Sequence, residues 1–336
     1  MNAPAKAMPH PTHKFKLLLR REFWEHKGGF LWAPLVAGGI FLLLSLMGFG
    51  VGEMAARRST AEFGDSGIRV SGIDLGAITS HMDSVDLVKL GHGIDLSLFM
   101  ASSWPFIVMA FVVFFYCLGA LYDDRKDRSV LFWKSLPLSD RETVLSKAAS
   151  AIVVAPVLAV CAALLTMLGF LVVVSGAVLL HGGNPLTLVW GPASPLAVAG
   201  QMVAMIPVYA LWALPTAGWL LLCSSWAKSK PFLWAIMIPV FAGIFVTWFD
   251  LMHLFDLEAG WFWRNIVGRA LLSVVPGSWI DATGMHRFEG MDALGTFAAV
   301  RNTYSTLLTP QLWIGAAAGV AMILGAIRMR RWRDDN

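Results

Sequence analysis

Apolar residues in this chain collect into long runs, and residues 28–52, 96–122, 148–227, 231–249 and 302–327 hold no Asp, Glu, Lys or Arg. A helix rises about 1.5 Å per residue, so about 20 apolar residues cross a hydrocarbon core of about 30 Å. Six segments meet that length: about 30–51, 98–121, 149–172, 198–223, 232–250 and 311–328. The third run stays apolar to Leu180, so its far end is expected to emerge before His181-Gly-Gly-Asn-Pro. The fourth carries Pro207 and Pro215, which remove helical hydrogen bonds and predict kinks. The pattern predicts an all-α polytopic membrane protein whose six transmembrane helices form one domain over residues 1–336.

The segments between the spans are patterned too. Residues 13–27 place Phe15, Leu18, Leu19 and Phe23 at helical spacing among Lys14, Arg20, Arg21 and Lys27, and Gly28-Gly29 ends the pattern. That reads as an amphipathic helix lying along a membrane interface, or as a basic anchor. The 122–147 loop begins densely charged, then gathers Val130, Leu131, Phe132 and Trp133 before Pro137. Ser139 and Glu142 form an S-x-x-E capping box that opens a helix leading into the third span. Exposed apolar clusters bind partners, whereas interfacial aromatics also dip into lipid headgroups; both readings stay open for Phe132 and Trp133. Two outer loops, 52–97 and 251–310, complete the chain. In the second, 261–276 is apolar with helical period but holds Arg264 and Arg269 and stops at Pro276, which predicts a re-entrant or interfacial helix with Trp261 and Trp263 at the headgroup level. Gly315-Ala-Ala-Ala-Gly319 in the sixth span forms a small-xxx-small face suited to close helix approach.

Composition sharpens this picture. Apolar residues make up 57% of the chain and charged residues 14%, against about 25% charged in soluble domains, which excludes a soluble α/β enzyme. Lys and Arg orient the spans. Eighteen lie in 1–27, 122–147, 228–230 and 328–333, and eight in the two long outer loops. By the positive-inside rule both termini are expected in the cytoplasm. The first apolar run is too long for a signal-peptide core, so it is read as a retained span. Cys117, Cys161 and Cys223 sit in apolar runs without C-x-x-C spacing, as small buried hydrophobes do.

Catalytic signatures are missing: the chain has no G-x-x-x-x-G-K-[ST] phosphate loop, no H-E-x-x-H and no G-x-S-x-G. No catalytic residue, metal ligand or nucleic-acid groove is assigned. Asp250, His253, Asp256 and Glu258 could support a membrane-embedded enzyme, but an interfacial polar cluster accounts for them more simply. None of the six predicted spans carries a central ionisable residue, unlike the spans of ion-coupled transporters. If the protein moves a solute, energy must enter elsewhere, and the 122–147 loop is the natural point.

The segment LYDDRKDRSVLFWKSLPLSDRETVLSK (121–147), with a cytoplasmic amphipathic helix, six spans and outer helices between spans five and six, resembles the permease subunit of an ABC-2 type (type V) ATP-binding-cassette exporter. The long 52–97 loop departs from compact relatives. The resemblance implies a bacterial inner-membrane exporter, not itself an enzyme. Two permease copies, identical or paralogous, would join two ATPase subunits that hold the ATP and Mg, while this chain carries no cofactor. Ser129, Val130, Leu131, Phe132 and Trp133 would form the coupling helix inserted into the ATPase. Arg125, Asp127, Arg128 and Lys134 would flank it, and Phe15, Leu18, Leu19 and Phe23 would mark the connector helix. Spans one, two and five would line the route of an amphiphile such as a lipid, peptide or drug. The alternative is a scaffold or sensor subunit that uses the same loop to bind a partner without ATPase activity.

Overall fold

The computed structural model describes residues 11–64, 84–127, 139–253, 258–280 and 296–333, and every regular element among them is helical. Six helices are long and apolar enough to cross a membrane: Gly28–Ala55, Val85–Lys126, Asp140–Leu180, Pro195–Trp212, Pro231–Leu251 and Pro310–Trp332. This is a multi-pass membrane chain. Its elements run α1 (Pro11–Glu25), α2 (Ala33–Gly64), α3 (Ser84–Ala101), α4 (Ser103–Gly119), α5 (Tyr122–Lys126), α6 (Asp140–Ala149), α7 (Ala155–Leu180), α8 (Pro195–Trp212), α9 (Leu214–Trp226), α10 (Pro231–Leu251), a composite helix over 259–272, α11 (Thr296–Ser305) and α12 (Pro310–Arg333).

Proline decides where the long helices bend. Pro105 offers no N–H to the Ala101 carbonyl and crowds it, so α3 and α4 meet in a kink at Ser102, whose hydroxyl donates to Leu98 O at 2.6 Å. Pro215 does the same to the fourth span, splitting it at Ala213 into α8 and α9. Pro207 stays inside α8. A π-helical turn, Ser150–Val154, joins α6 to α7 just before Pro156, and the Ala155 N–H bonds Ser150 O there. The third span therefore continues the 139–149 helix without a break and reaches Leu180.

One difference from the sequence reading concerns the 52–97 stretch. Residues 52–64 belong to α2 and 84–97 to α3, so much of the 52–97 stretch is helix. The 84–97 stretch carries Asp86, Lys89 and Asp95, which hide a helix from a search for uncharged runs. The 259–280 segment is inserted into the bundle and does not lie over it. Trp263 packs on Gly243 of α10 and donates Nε1–H to Thr247 Oγ1 at 2.8 Å. Val274 and Trp279 are buried, Tyr209 donates to Val274 O at 3.1 Å, and Trp212 donates to Ser278 Oγ at 2.9 Å. It runs along α10 past Thr247 and Gly243, then turns back beside α8. Trp263 thus meets its neighbours on α10 with part of its ring still exposed, and Trp261 is more exposed.

The tightest crossing joins α9 to α12. A Cβ on Gly218 would strike the Gly319 carbonyl, and one on Gly319 would strike the Leu214 backbone, so the two glycines let the helix backbones touch. Gly319 therefore serves the close approach anticipated for the small-xxx-small face, whereas Gly315 faces the Arg269 guanidinium. Gly39 of α2 has open space around it. Replacing Gly218 by Ala should overpack the crossing and cost about 1–3 kcal/mol. The same change at Gly39 should be neutral or gain up to about 1 kcal/mol of helix propensity. Thermal unfolding of the two variants in one detergent would show a lower Tm for the first only.

Candidate functional site

One end of the bundle carries α1 and the end of α12, and charge is buried there. On α1 the apolar stripe faces inward: Leu18 is buried, Phe15, Leu19 and Phe23 are half-buried, and Leu17 and Trp24 point away. This face packs on α6 and the π-helical turn Ser150–Val154. One turn beyond Leu18, the same face presents a carboxylate, Glu22, with 0% exposure. An isolated carboxylate at such a place would cost several kcal/mol or more, so its partners matter.

Those partners come from two other helices, and the contacts continue from there to two more. The Tyr116 hydroxyl, at the end of α4, donates to Glu22 Oε2 at 2.8 Å. Lys147 of α6 sets Nζ 3.2 Å from Glu22 Oε1 and 3.4 Å from Asp124 Oδ2. Arg330, near the end of α12, reaches Asp124 Oδ2 with Nη1 at 3.5 Å and Asp140 Oδ1 with Nε at 3.3 Å. Lys147 and Arg330 are themselves buried. Glu22 Oε1 and Arg330 Nε make no aligned hydrogen bond, so Coulomb attraction carries those two contacts. Two cations thus face three carboxylates. His26 stands 3.9 Å from Glu22 Oε2, its ring edge-on to Tyr116.

The network brackets the 128–138 loop. Asp124 precedes it, Asp140 and Lys147 follow it, and both sides are tied through Glu22 and Arg330 to the first and last described helices. The start of the returning helix is fixed by the capping box that the sequence announced: Ser139 Oγ accepts from the Glu142 N–H at 3.2 Å, and Glu142 Oε2 accepts from the Ser139 N–H at 3.0 Å. The outgoing side is fixed by Arg125. Its guanidinium donates to Ser224 O, and to Ala227 O at 3.1 Å, covering the last carbonyls of α9. Ser224 Oγ returns the contact by accepting the Leu121 and Tyr122 N–H groups, each at 3.0 Å. Arg125 is thus turned inward onto α9, while Asp127 is exposed. Arg128, Ser129, Val130, Leu131, Phe132, Trp133 and Lys134 lie outside the described residues. A groove of about 530 Å³ adjoins the network between residues 25–30, which link α1 to α2, and α4, lined by His26, Gly29, Phe30, Phe115 and Asp123 among others.

Comparison with family models, with characterised proteins and with solved structures finds no match to this chain. The site is therefore read from its own geometry.

Other candidates have structural roles. Asp250 Oδ2 accepts the Ala259 N–H at 3.2 Å and so holds the start of the 259–272 segment. His253 is exposed, with a left-handed backbone at φ 51°. Asp256 lies outside the described residues. Among the described residues no three His, Cys, Asp or Glu side chains gather in a way that could hold a metal.

Sequence reasoning missed Glu22, Tyr116, Asp124, Lys147 and Arg330 as a unit, since it treated each as a surface charge or a span residue. A signal existed for one of them: Glu22 follows Leu18 by four residues and so falls on the stripe that includes Leu18. It also missed the depth of Arg269, which enters the bundle from the outer segment and not from a span.

Removing one member of a buried pair strands the other, so Lys147→Met should cost about 3–5 kcal/mol. Adding Glu22→Gln to it should recover a large part of that loss, because the stranded carboxylate is gone. A double-mutant cycle on denaturant or thermal unfolding reads the coupling, and purely additive losses would show the pair to be energetically idle.

Proposed function

We propose that the chain is the permease subunit of an ABC-2 type ATP-binding-cassette exporter, working with a separate ATPase. The observation that carries this reading is the buried network of Glu22, Lys147, Asp124, Arg330 and Asp140, which ties four helices together around the 128–138 loop. A partner pressing on that loop would move α1, the end of the second span, the start of the third and the end of the sixth as one body. Force then travels through buried ion pairs and a rigid capped helix, not through a slack linker.

Two further features support it. Span two adjoins both span one and span five, with α4 in contact with both α2 and α10 and the Phe115 and Phe232 rings stacked at 6.0 Å. Spans one and five also bury least within the chain, as expected of helices that would meet a second permease copy or a lipid-like cargo. In this reading the end that carries α1 and the end of α12 is cytoplasmic, where the excess of Lys and Arg would lie. Val130, Leu131, Phe132 and Trp133 form the contact with the ATPase, and Phe15, Leu18, Leu19 and Phe23 seat the connector helix on α6.

The test is coupling. The chain purified in mild detergent together with its ATPase should hydrolyse ATP, and Trp133→Ala combined with Phe132→Ala should lower transport at least ten-fold while the permease keeps its Tm. Unchanged transport by that double variant would refute the loop assignment. ATPase activity that never depends on this chain would favour a scaffold.

A further inference from the structure

Arg269 sits where an arginine needs a reason. It lies on the composite helix over 259–272, beside Thr216 of α9 and Gly315 of α12. Thr216 Oγ1 donates to Arg269 O at 2.8 Å, and Gly315 has no Cβ, which leaves room for the guanidinium. Thr216 is ten residues from the end of α9 at Trp226, and Gly315 is fifteen from Arg330. At about 1.5 Å per residue those offsets are about 15 and 22 Å, while Gly315 stands only about 7 Å from the start of α12 at Pro310, so the guanidinium lies within the apolar stretch of the sixth span but toward its N-terminal end. The guanidinium carbon lies 3.5 Å from the centroid of the Trp212 ring, which covers one face. Both Nη atoms are buried, and among the described residues neither has a hydrogen-bond partner. A guanidinium stays protonated, and its parallel N–H groups match a phosphate or carboxylate two at a time. An ionisable group at this depth marks a site.

The same side chain lines a groove of about 400 Å³ between α9, α10, α12 and the 259–272 segment. Apart from Arg269, Asn265 and Gln311, its walls are mostly apolar, with Trp219, Ile238 and Met322 among them. Its mouth is formed by residues on the bundle's outer surface, such as Ile314 and Trp261, where lipid chains would run. A fixed cation at the inner wall of an apolar groove that opens sideways complements a molecule with one anionic group and a hydrocarbon tail.

We propose that this groove binds an anionic amphiphile, its phosphate or carboxylate oxygens received by the Arg269 Nη atoms and its tail laid against Trp219, Ile238 and Met322. Binding belongs to the subunit itself and does not require the ATP-driven role proposed above. Phosphatidylglycerol serves as probe, phosphatidylcholine as its neutral-headgroup counterpart, and glycerol 1-phosphate as the headgroup without a tail. Delipidated full-length chain in neutral detergent is titrated with each, and bound lipid is counted by native mass spectrometry.

The wild type should bind one phosphatidylglycerol at least ten-fold more tightly than phosphatidylcholine. Arg269→Gln should abolish that preference, while Arg264→Gln, at an exposed arginine of the same segment, should leave it intact. Ala318→Phe, which fills the groove while leaving the guanidinium in place, should weaken binding ten-fold or more and keeps the test valid if Arg269→Gln fails to fold. Equal binding of the two lipids would mean that a carboxylate of the protein already satisfies Arg269, and would overturn the proposal. So would unchanged binding by Arg269→Gln or by Ala318→Phe, or displacement by glycerol 1-phosphate as effective as by the whole lipid, which would assign the site to a free phosphate ester.

Discussion

The burial of the Glu22 carboxylate organises one end of this molecule. A charge with no exposure is tolerated only where its lone pairs are met, and meeting them here requires Tyr116 and Lys147 from two different helices. Lys147 in turn needs Asp124, and Asp124 shares Arg330 with Asp140. Each contact is individually modest, but none can be removed without stranding the next. The positions of α1, α4, α6 and α12 are thereby made interdependent at the end where the 128–138 loop departs and returns.

A buried ionic network is a poor source of net stability compared with apolar packing of the same volume. Its value here is geometric. Ion pairs and the capping box fix the register of helix ends that greasy contacts alone would let slide, because apolar faces in a lipid-like setting lack a strong preference for one alignment. Arg125 adds to this by closing the carbonyl end of α9 and joining it to the start of α5. The result is a set of interlocked helix ends on either side of residues 128–138.

The same rule, that charge within the bundle needs a partner, makes Arg269 informative. Its backbone is well anchored by Thr216 and Ser273, and Trp212 shields one face of its guanidinium, yet its terminal nitrogens lack acceptors among the described residues. The 259–272 segment packs into the bundle because small residues make space: Gly243 admits Trp263, and Gly315 admits the guanidinium.

The run lengths of apolar residues determined the number of spans, since the thickness of a bilayer and the rise of a helix leave little freedom. Local chemistry was equally legible: Ser139 with Glu142 announced the cap, Pro215 a kink, and Gly319 a close crossing, because each acts on neighbours a few residues away or on any helix that approaches. The helical parts of 52–97 were hidden because charges interrupt their apolar pattern. The pairing of Glu22 with Lys147 and Tyr116 joins residues about a hundred positions apart, and no period or spacing records which distant charges will meet. Nor does composition tell whether an apolar segment with two arginines lies over the helix bundle or folds into it. That was decided by tertiary packing, through the glycines that opened room for it and the hydrogen bonds from Tyr209, Trp212 and Thr216 that fixed it in place.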